Sequence, residues 1–308
     1  MTTRKGAEAA TLYAPITAPG RAAVAALRLS GAEAFAAAEA LAGPLPGARR
    51  AGLRRLRAPA TGEVIDDALV LAFPAPASLT GEDVVELHLH GGPLPMRRVL
   101  AALADMAGLA PAGPGDFSRR AFLNGRLDLA RAEAVADLVD AETEAQARQA
   151  LRQLDGALGR RVADWQRRLT AARAVLEAGL DFADEGDVAE QAAGSGQDLA
   201  ALARELRATA ADDRGERLRE GLVVALVGAP NAGKSSLLNA LAQREVAIVS
   251  EIAGTTRDVL EVPMELGGRP VMLIDTAGIR ESDDLIEREG VRRARAAAER
   301  ADLRLVLI

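Results

Sequence analysis

The sequence predicts a multidomain chain of mixed α+β and α/β class: an N-terminal α+β domain over residues 1–120, a central helical domain over 121–219 and a C-terminal α/β domain over 220–308. Three observations predict it. Up to Arg120, short strand-like apolar runs alternate with helical stretches and turn residues. The strand signal is then replaced by apolar positions three or four apart. From Gly221 an apolar run of strand length leads into a Gly-rich turn, after which strand and helix patterns alternate again. Length alone, 308 residues at roughly 150 per domain, gives about two domains; the shifts in pattern divide the chain into three.

In the first segment Val24–Leu29, Ala68–Phe73 and Val84–His90 read as strands, and Ala32–Leu41 and Pro93–Met106 as helices. Pro19-Gly20, Pro44 to Gly47, Gly91-Gly92-Pro93 and Gly113-Pro114-Gly115 supply the turns. In the second, Leu151, Leu154, Leu158, Val162, Trp165, Leu169, Ala172 and Leu176 form one helical stripe. Gly156 and Gly159 each cost about 1 kcal/mol in a helix interior and mark a break. Asp181 to Gly196 is acidic and Gly-containing and is expected to be a loop, with a further helix from Gln197 to Ala211. Helices this rich in alanine bury little area and need partners, each other or another chain. In the third segment Leu222–Val227, Val271–Ile274 and Leu303–Ile308 read as strands, the last of them buried, and Ser236–Leu241 as a helix. An ending inside a buried strand implies a domain that is cut short.

Composition limits the chemistry. With 49% hydrophobic and 27% charged residues the chain is globular. No cysteine is present, which excludes disulfides, zinc thiolates and thiol catalysis within it. A net charge of −6 argues against capture of nucleic acid by the whole surface and leaves a local basic patch open. No apolar run approaches the ~18–20 residues of a membrane span, and Arg4 and Lys5 precede no apolar signal core; the expectation is a cytoplasmic protein. With 5 Phe, 1 Tyr and 1 Trp, the cores must be aliphatic. Of 38 basic residues only Lys5 and Lys234 are lysine, so each lysine holds a place of interest.

Lys234 stands in Gly228-Ala229-Pro230-Asn231-Ala232-Gly233-Lys234-Ser235, a match to G-x-x-x-x-G-K-[ST] between a strand pattern and a helix pattern. In a P-loop the glycines let backbone N–H groups converge on phosphate oxygens, and the helix N-terminus adds its positive end. Lys234 then supplies an ammonium to the β/γ-phosphates and Ser235 a Mg2+ ligand. Asp275-Thr276-Ala277-Gly278 closes the strand run before it, where a carboxylate reaches the magnesium shell. Gly254-Thr255-Thr256-Arg257-Asp258 offers hydroxyls between the two. The last two are weak alone; the three in this order and spacing are strong.

With these motifs the chain resembles the translation-factor-like GTPases, in particular the tRNA-modification GTPases of the MnmE (TrmE) family. Ala247 to Asp258 looks like that family's potassium loop and switch I. Pro19-Gly20-Arg21, Leu27 to Gly31, Leu79 to Val84 and His88 to Pro93 resemble its N-terminal folate-binding domain, although His88 is outside the shared pattern. Phe117 to Gly125 with Leu127-Asp128-Leu129 matches the entry to its helical domain.

The resemblance implies a fold of N-terminal folate-binding-like domain, central helical domain and Ras-like P-loop GTPase domain. It implies a GTP site of Asn231, Ala232, Gly233, Lys234, Ser235, Ser236, Ser250, Glu251, Ile252, Ala253, Gly254, Thr255, Thr256, Asp275, Thr276, Ala277 and Gly278. Ser235 and Thr256 would hold Mg2+; Asn231, Ser250, Ile252 and Thr255 would hold K+ in the place of an arginine finger. Glu287 aligns with the glutamate that orients the attacking water and, with Lys234, forms the catalytic pair; Asp284 and Glu289 lie close enough to be mistaken for it. Arg28, Glu86 and Arg126 match positions holding 5-formyl- or methylene-tetrahydrofolate, a carboxylate pairing with the pterin edge and cations with the glutamate tail. The implied partners are GTP and GDP, tRNA, an MnmG-like flavoprotein in a heterotetramer and a second copy through the N-terminal domain, with no membrane. The implied activity is potassium-dependent GTP hydrolysis in the C5 modification of wobble uridine.

Some residues stay open. His88 and His90 share a strand face by alternation, a poor metal site on their own. Arg160, Arg161, Arg167, Arg168 and Arg173 suit tRNA phosphates, and suit a solvated helix face better. The family's guanine-reading Asn/Thr-Lys-x-Asp and its terminal cysteine motif are not in these 308 residues, so weak and poorly selective GTP binding is expected. A regulatory switch in ribosome assembly and an inactive dimerising fragment remain as alternatives.

Overall fold

The computed structural model describes residues 10–181, 186–228, 232–244, 260–275, 299 and 301–308. Contacts divide the chain into two units, Met1–Ala132 and Glu133–Ile308.

The first unit is built on strands β1 (Thr11–Pro15), β2 (Val24–Ser30), β3 (Gly52–Arg57), β4 (Val64–Phe73), β5 (Val84–His90) and β6 (Leu109–Pro111), with helices α1 (Ala34–Ala42), α2 (Pro93–Ala104) and α3 (Asp116–Leu123). The sheet runs β3-β4-β5-β2-β1-β6. Its neighbours pair antiparallel except β1 and β6. Strand alternation sends Leu27, Leu29, Leu56, Val70, Leu87 and Leu89 into one core with Leu41 of α1 and Leu103 of α2. Each such leucine contributes about 1.5–3 kcal/mol by leaving water. In α1, Ala34, Ala37, Ala38 and Leu41 recur at helical spacing and are buried. Their small side chains let the helix lie close on the sheet. Pro93 begins α2, where a missing N–H costs nothing. Predicted strands and helices are all present. β1, β3 and β6 were not anticipated: β6 has three residues, and β3 is an edge strand whose arginines hide its alternation.

Helix α4 (Leu129–Val139) leads into the second unit, whose helices are α5 (Glu144–Leu154), α6 (Ala157–Asp181), α7 (Gly186–Ala210) and α8 (Arg214–Glu220). Thr143 and Gln146 form a capping box that starts α5. Gly156, at φ +81, makes the break between α5 and α6, whereas Gly159 stays inside α6. Two expectations are corrected. The stretch expected as a loop to Gly196 is helical from Gly186, because the Ala-, Glu- and Gln-rich run tolerates its glycines at about 1 kcal/mol each. The predicted stripe is mostly not buried: Ala172 is buried and Trp165 bonds to Glu205 of α7, while Leu158, Val162, Leu169 and Leu176 are 39–54% exposed. Two helices side by side share a single seam.

A four-stranded sheet follows, β10-β7-β9-β8, from β7 (Leu222–Gly228), β8 (Leu260–Leu266), β9 (Arg269–Asp275) and β10 (Leu303–Leu307), with helix α9 (Lys234–Arg244). Val224, Leu226, Leu238, Met264, Val271 and Leu273 are its core. β10 was expected to be buried and is not. It is the edge strand, parallel to β7, with Leu303 53% and Val306 65% exposed. The second core is aliphatic throughout, and the first is aliphatic except for Tyr13 and the partly buried Phe35. Among the described residues no helix is long and apolar enough to cross a membrane.

Candidate functional site

β7 and β9 run parallel with Leu226 opposite Asp275, and antiparallel β8 starts at Leu260 opposite the same Asp275. β7 and β9 therefore end, and β8 begins, at one end of the sheet, where the described parts of the Gly228–Ser235 motif and Asp275 also lie. In an open α/β sheet that end is where ligands bind.

Lys234 opens α9, is 5% exposed and donates from Nζ to the Gly228 carbonyl at 2.8 Å. A buried ammonium demands such an acceptor, and the bond ties the first residue of the helix to the last of the strand. Gly233 precedes it at φ +88, a conformation that disfavours a side chain, and its carbonyl accepts from Leu237 N at 2.8 Å to start the helix. Gly228 serves a different need: a Cβ there would lie 2.4 Å from the Leu307 carbonyl of β10. Ala232 and Gly233 are half-buried and Ser236 exposed. Ser235 falls in the first turn of α9 and Asp275 at the end of β9, placing a hydroxyl-bearing and a carboxylate-bearing residue, the hard oxygen donors suited to Mg2+, at this end. Asn231, Ser250, Glu251, Ile252, Ala253, Gly254, Thr255, Thr256, Thr276, Ala277, Gly278 and Glu287 lie outside the described residues.

The first unit brings together two of its three predicted site residues. Arg28 on β2 and Glu86 on β5 are direct cross-strand partners. Arg28 Nη2 and Nε donate to Glu86 Oε1 at 2.7 and 3.0 Å, and the two side chains are 20% and 17% exposed. Glu86 Oε2 faces His88 Nε2 at 3.3 Å, and the Phe117 ring of α3 lies 5.5 Å from the guanidinium carbon. This is a half-buried ion pair on the sheet face opposite the core, open enough to meet a ligand. Arg126 is exposed, and its stem packs beside Gly81 in the turn before β5; no described contact joins it to Arg28 or Glu86.

Sequence reasoning missed the polar network beside this pair. Arg120 of α3 is 8% exposed and donates to Ser30 O at 3.2 Å, to Glu82 Oε2 at 3.0 Å and to Ala10 O. Ser30 Oγ donates to Glu82 Oε2 at 2.8 Å and lies 2.7 Å from Thr80 Oγ1. Asn124 Nδ2 adds a bond to Thr80 O at 2.7 Å. The signal was present: these residues sit in the Leu27–Gly31, Leu79–Val84 and Phe117–Gly125 runs, quoted for resemblance without roles.

His88 and His90 do share a strand face, but each meets a different carboxylate. His90 Nδ1 lies 2.6 Å from Asp66 Oδ1, while its N–H donates to Asp66 Oδ2 at 2.8 Å. The arginines of α6 have partners within the helix, on α7 or at the end of α5. Arg160 donates to Asp155 O, Arg167 pairs with Asp164, Arg173 with Glu177, and Arg161 and Arg168 with Glu205. Hydrogen bonds from Trp165 Nε1 and Arg168 hold the Glu205 carboxyl below the usual range. Arg214 hydrogen bonds hold Asp212 down to about 2. These arginines form a balanced charge face, not a bare basic stripe.

Two families match the chain: the one described as GTP-binding protein TrmE N-terminus over residues 11–126, and the one described as 50S ribosome-binding GTPase over residues 223–308. Similar relatives are the tRNA modification GTPase MnmE of Rhodospirillum rubrum, 58% identical over 96% of this chain and 68% of its own length, that of Methylorubrum populi, 59% identical over 97% and 68%, and that of Methylobacterium sp. (strain 4-46), 58% identical over 97% and 69%. The matches run through both the ion-pair face of the first unit and the phosphate-loop end of the second. With this identity over nearly all of its length, the chain belongs to the MnmE family of tRNA-modification GTPases.

Proposed function

We propose that the chain hydrolyses GTP with Mg2+ and K+ to drive C5 modification of wobble uridine in tRNA, together with an MnmG-like flavoprotein and a folate one-carbon donor, in the cytoplasm and as a dimer through its N-terminal domain. The observation that supports the GTPase part is the pairing of Leu226 with Asp275, which brings the ends of β7 and β9 together at the sheet end where the buried Lys234 bonds to Gly228.

In this reading the α9 N-terminus and the loop amides bind the phosphates, and Lys234 leaves the Gly228 carbonyl for a phosphate oxygen. Ser235, Thr256 and Asp275 hold Mg2+; Asn231, Ser250, Ile252 and Thr255 hold K+. Bound there, the ions would supply positive charge against that which builds on the γ-phosphate, a task worth roughly 10³–10⁵ in rate when an arginine finger does it. Glu287 orients the attacking water. In the first unit Arg28, Glu86 and Arg126 bind the folate, Glu86 turning a carboxylate oxygen to the amino-pyrimidinone edge.

Turnover of GTP with Mg2+ in KCl and in NaCl at equal ionic strength tests this. Turnover at least tenfold faster in KCl is expected. Equal rates would remove potassium from the mechanism, and no turnover would leave a dimerising module. The ribosome-assembly reading has in its favour only the name of the family matching residues 223–308. Binding of 5-formyltetrahydrofolate that is lost in Arg28→Ala decides against it.

A further inference from the structure

The ion pair of the first unit lies where charge is costly. Arg28 and Glu86 are paired across the two middle strands of a six-stranded sheet, and less than a quarter of each side chain is exposed. A guanidinium there has several low-energy rotamers, and only some place it flat against the carboxylate. What limits the choice is α3. Phe117 and Arg120, three residues apart, share one helix face. Arg28 and Ser30, two apart on β2, share one sheet face. Arg120 is clamped at Ser30 O, Glu82 and Ala10 O, and the clamped helix holds the Phe117 ring 5.5 Å from the Arg28 guanidinium carbon. That distance is within cation–π range.

We infer that Phe117 is a positioning residue: its ring, fixed by the Arg120 clamp, holds the Arg28 guanidinium against Glu86 and so presets the pair for a flat, hydrogen-bonding heterocycle. The inference rests on the folate reading only for the identity of that ligand. Phe117 does not itself pair with the ligand edge. It acts through Arg28, and an aliphatic side chain of similar size would fill the space without attracting the cation.

The test uses the purified chain with Phe117→Leu, Phe117→Met and Phe117→Tyr. The first readout is the Nε–H resonance of Arg28, protected by its bond to Glu86. It is expected to persist in wild type and Phe117→Tyr and to broaden or exchange away in Phe117→Leu. The second is titration with 5-formyltetrahydrofolate, where Phe117→Leu should bind about 3- to 10-fold more weakly and Phe117→Tyr within twofold of wild type. If Phe117→Leu does not fold, Phe117→Met takes its place with the same expectation. An unchanged Arg28 resonance in the folded aliphatic variant overturns the inference, as does wild-type affinity in that variant. If wild type binds no folate, the folate reading fails, and the Arg28 resonance still decides whether Phe117 positions the pair.

Discussion

The two units use a sheet in opposite ways. In the first, the candidate site lies on the sheet's open face, assembled from residues far apart in sequence: Arg28 paired across strands with Glu86, and Ser30 hydrogen-bonded to Glu82 and Arg120. In the second it lies at the sheet's end, where parallel strands hand the chain to contiguous motifs. A face site needs side-chain charges held in place by other side chains, so its precision comes from buried polar bonds. An end site draws on backbone amides and a helix terminus, so its precision comes from the chain's turns. Different substitutions should therefore break the two.

The largest effect is expected at the buried clamp. Arg120→Met removes a cation that satisfies Glu82 and two carbonyls. Losing one member of a buried charge network costs about 3–5 kcal/mol, read as a shift in the denaturant midpoint of the first unit. A midpoint within experimental error of wild type would show that water replaces the arginine and that the face site is not held this way. Next comes Lys234→Ala, which removes the bond to the Gly228 carbonyl and, on the proposed reading, leaves the phosphates without their ammonium. Losing one preorganised donor costs about 10²–10³ in turnover. If turnover falls less than tenfold, the loop amides alone suffice and the end site is still more a backbone device than supposed.

The same contrast explains what was legible. The candidate phosphate loop could be proposed from sequence because its residues are consecutive and its glycines have fixed uses; Lys234 stood out further as one of two lysines. The ion-pair site was reached only through resemblance, since nothing in local spacing says that position 28 faces position 86. Arg120 was passed over because an arginine in a helix, here beside Arg119, reads as solvent-facing. β10 was misjudged because an apolar run looks alike at an edge and in a centre. The α6 stripe had the right period, but periodicity does not say which face meets a neighbour.

A smaller effect separates two glycines of one motif. Gly228→Ala would set a Cβ 2.4 Å from the Leu307 carbonyl, so β10 must move. Overpacking of this kind costs about 1–3 kcal/mol and should speed amide exchange along Leu303–Leu307. Gly233→Ala meets no atom within 4 Å but keeps φ +88, so its cost, about 1–2 kcal/mol, falls on the loop and leaves β10 exchange unchanged. Identical exchange profiles in the two variants would mean that strand β10 and the phosphate loop move as one piece.

The smallest effect concerns the charge face of α6 and α7, far in character from either site. Glu205 accepts from Trp165 Nε1 at 2.9 Å and from Arg168 at 2.7 Å, and both bonds favour its ionised form. Its folded pKa is depressed, so the stabilisation is present above the unfolded value of roughly 4.3 and is lost as pH falls through the lower folded value. Trp165 is the only tryptophan, so its emission reports that loss directly. Asp164, through Arg167 and Arg168, and Asp212, chiefly through Arg214, titrate low as well. The variant that isolates Glu205 is therefore Glu205→Gln, whose amide oxygen still accepts from the indole but cannot be protonated in this range. Wild type should show an acid shift in emission below about pH 4, and Glu205→Gln should not. An unchanged titration in the variant would assign the shift to Asp164 or Asp212 and leave the helix pair held by its apolar seam alone.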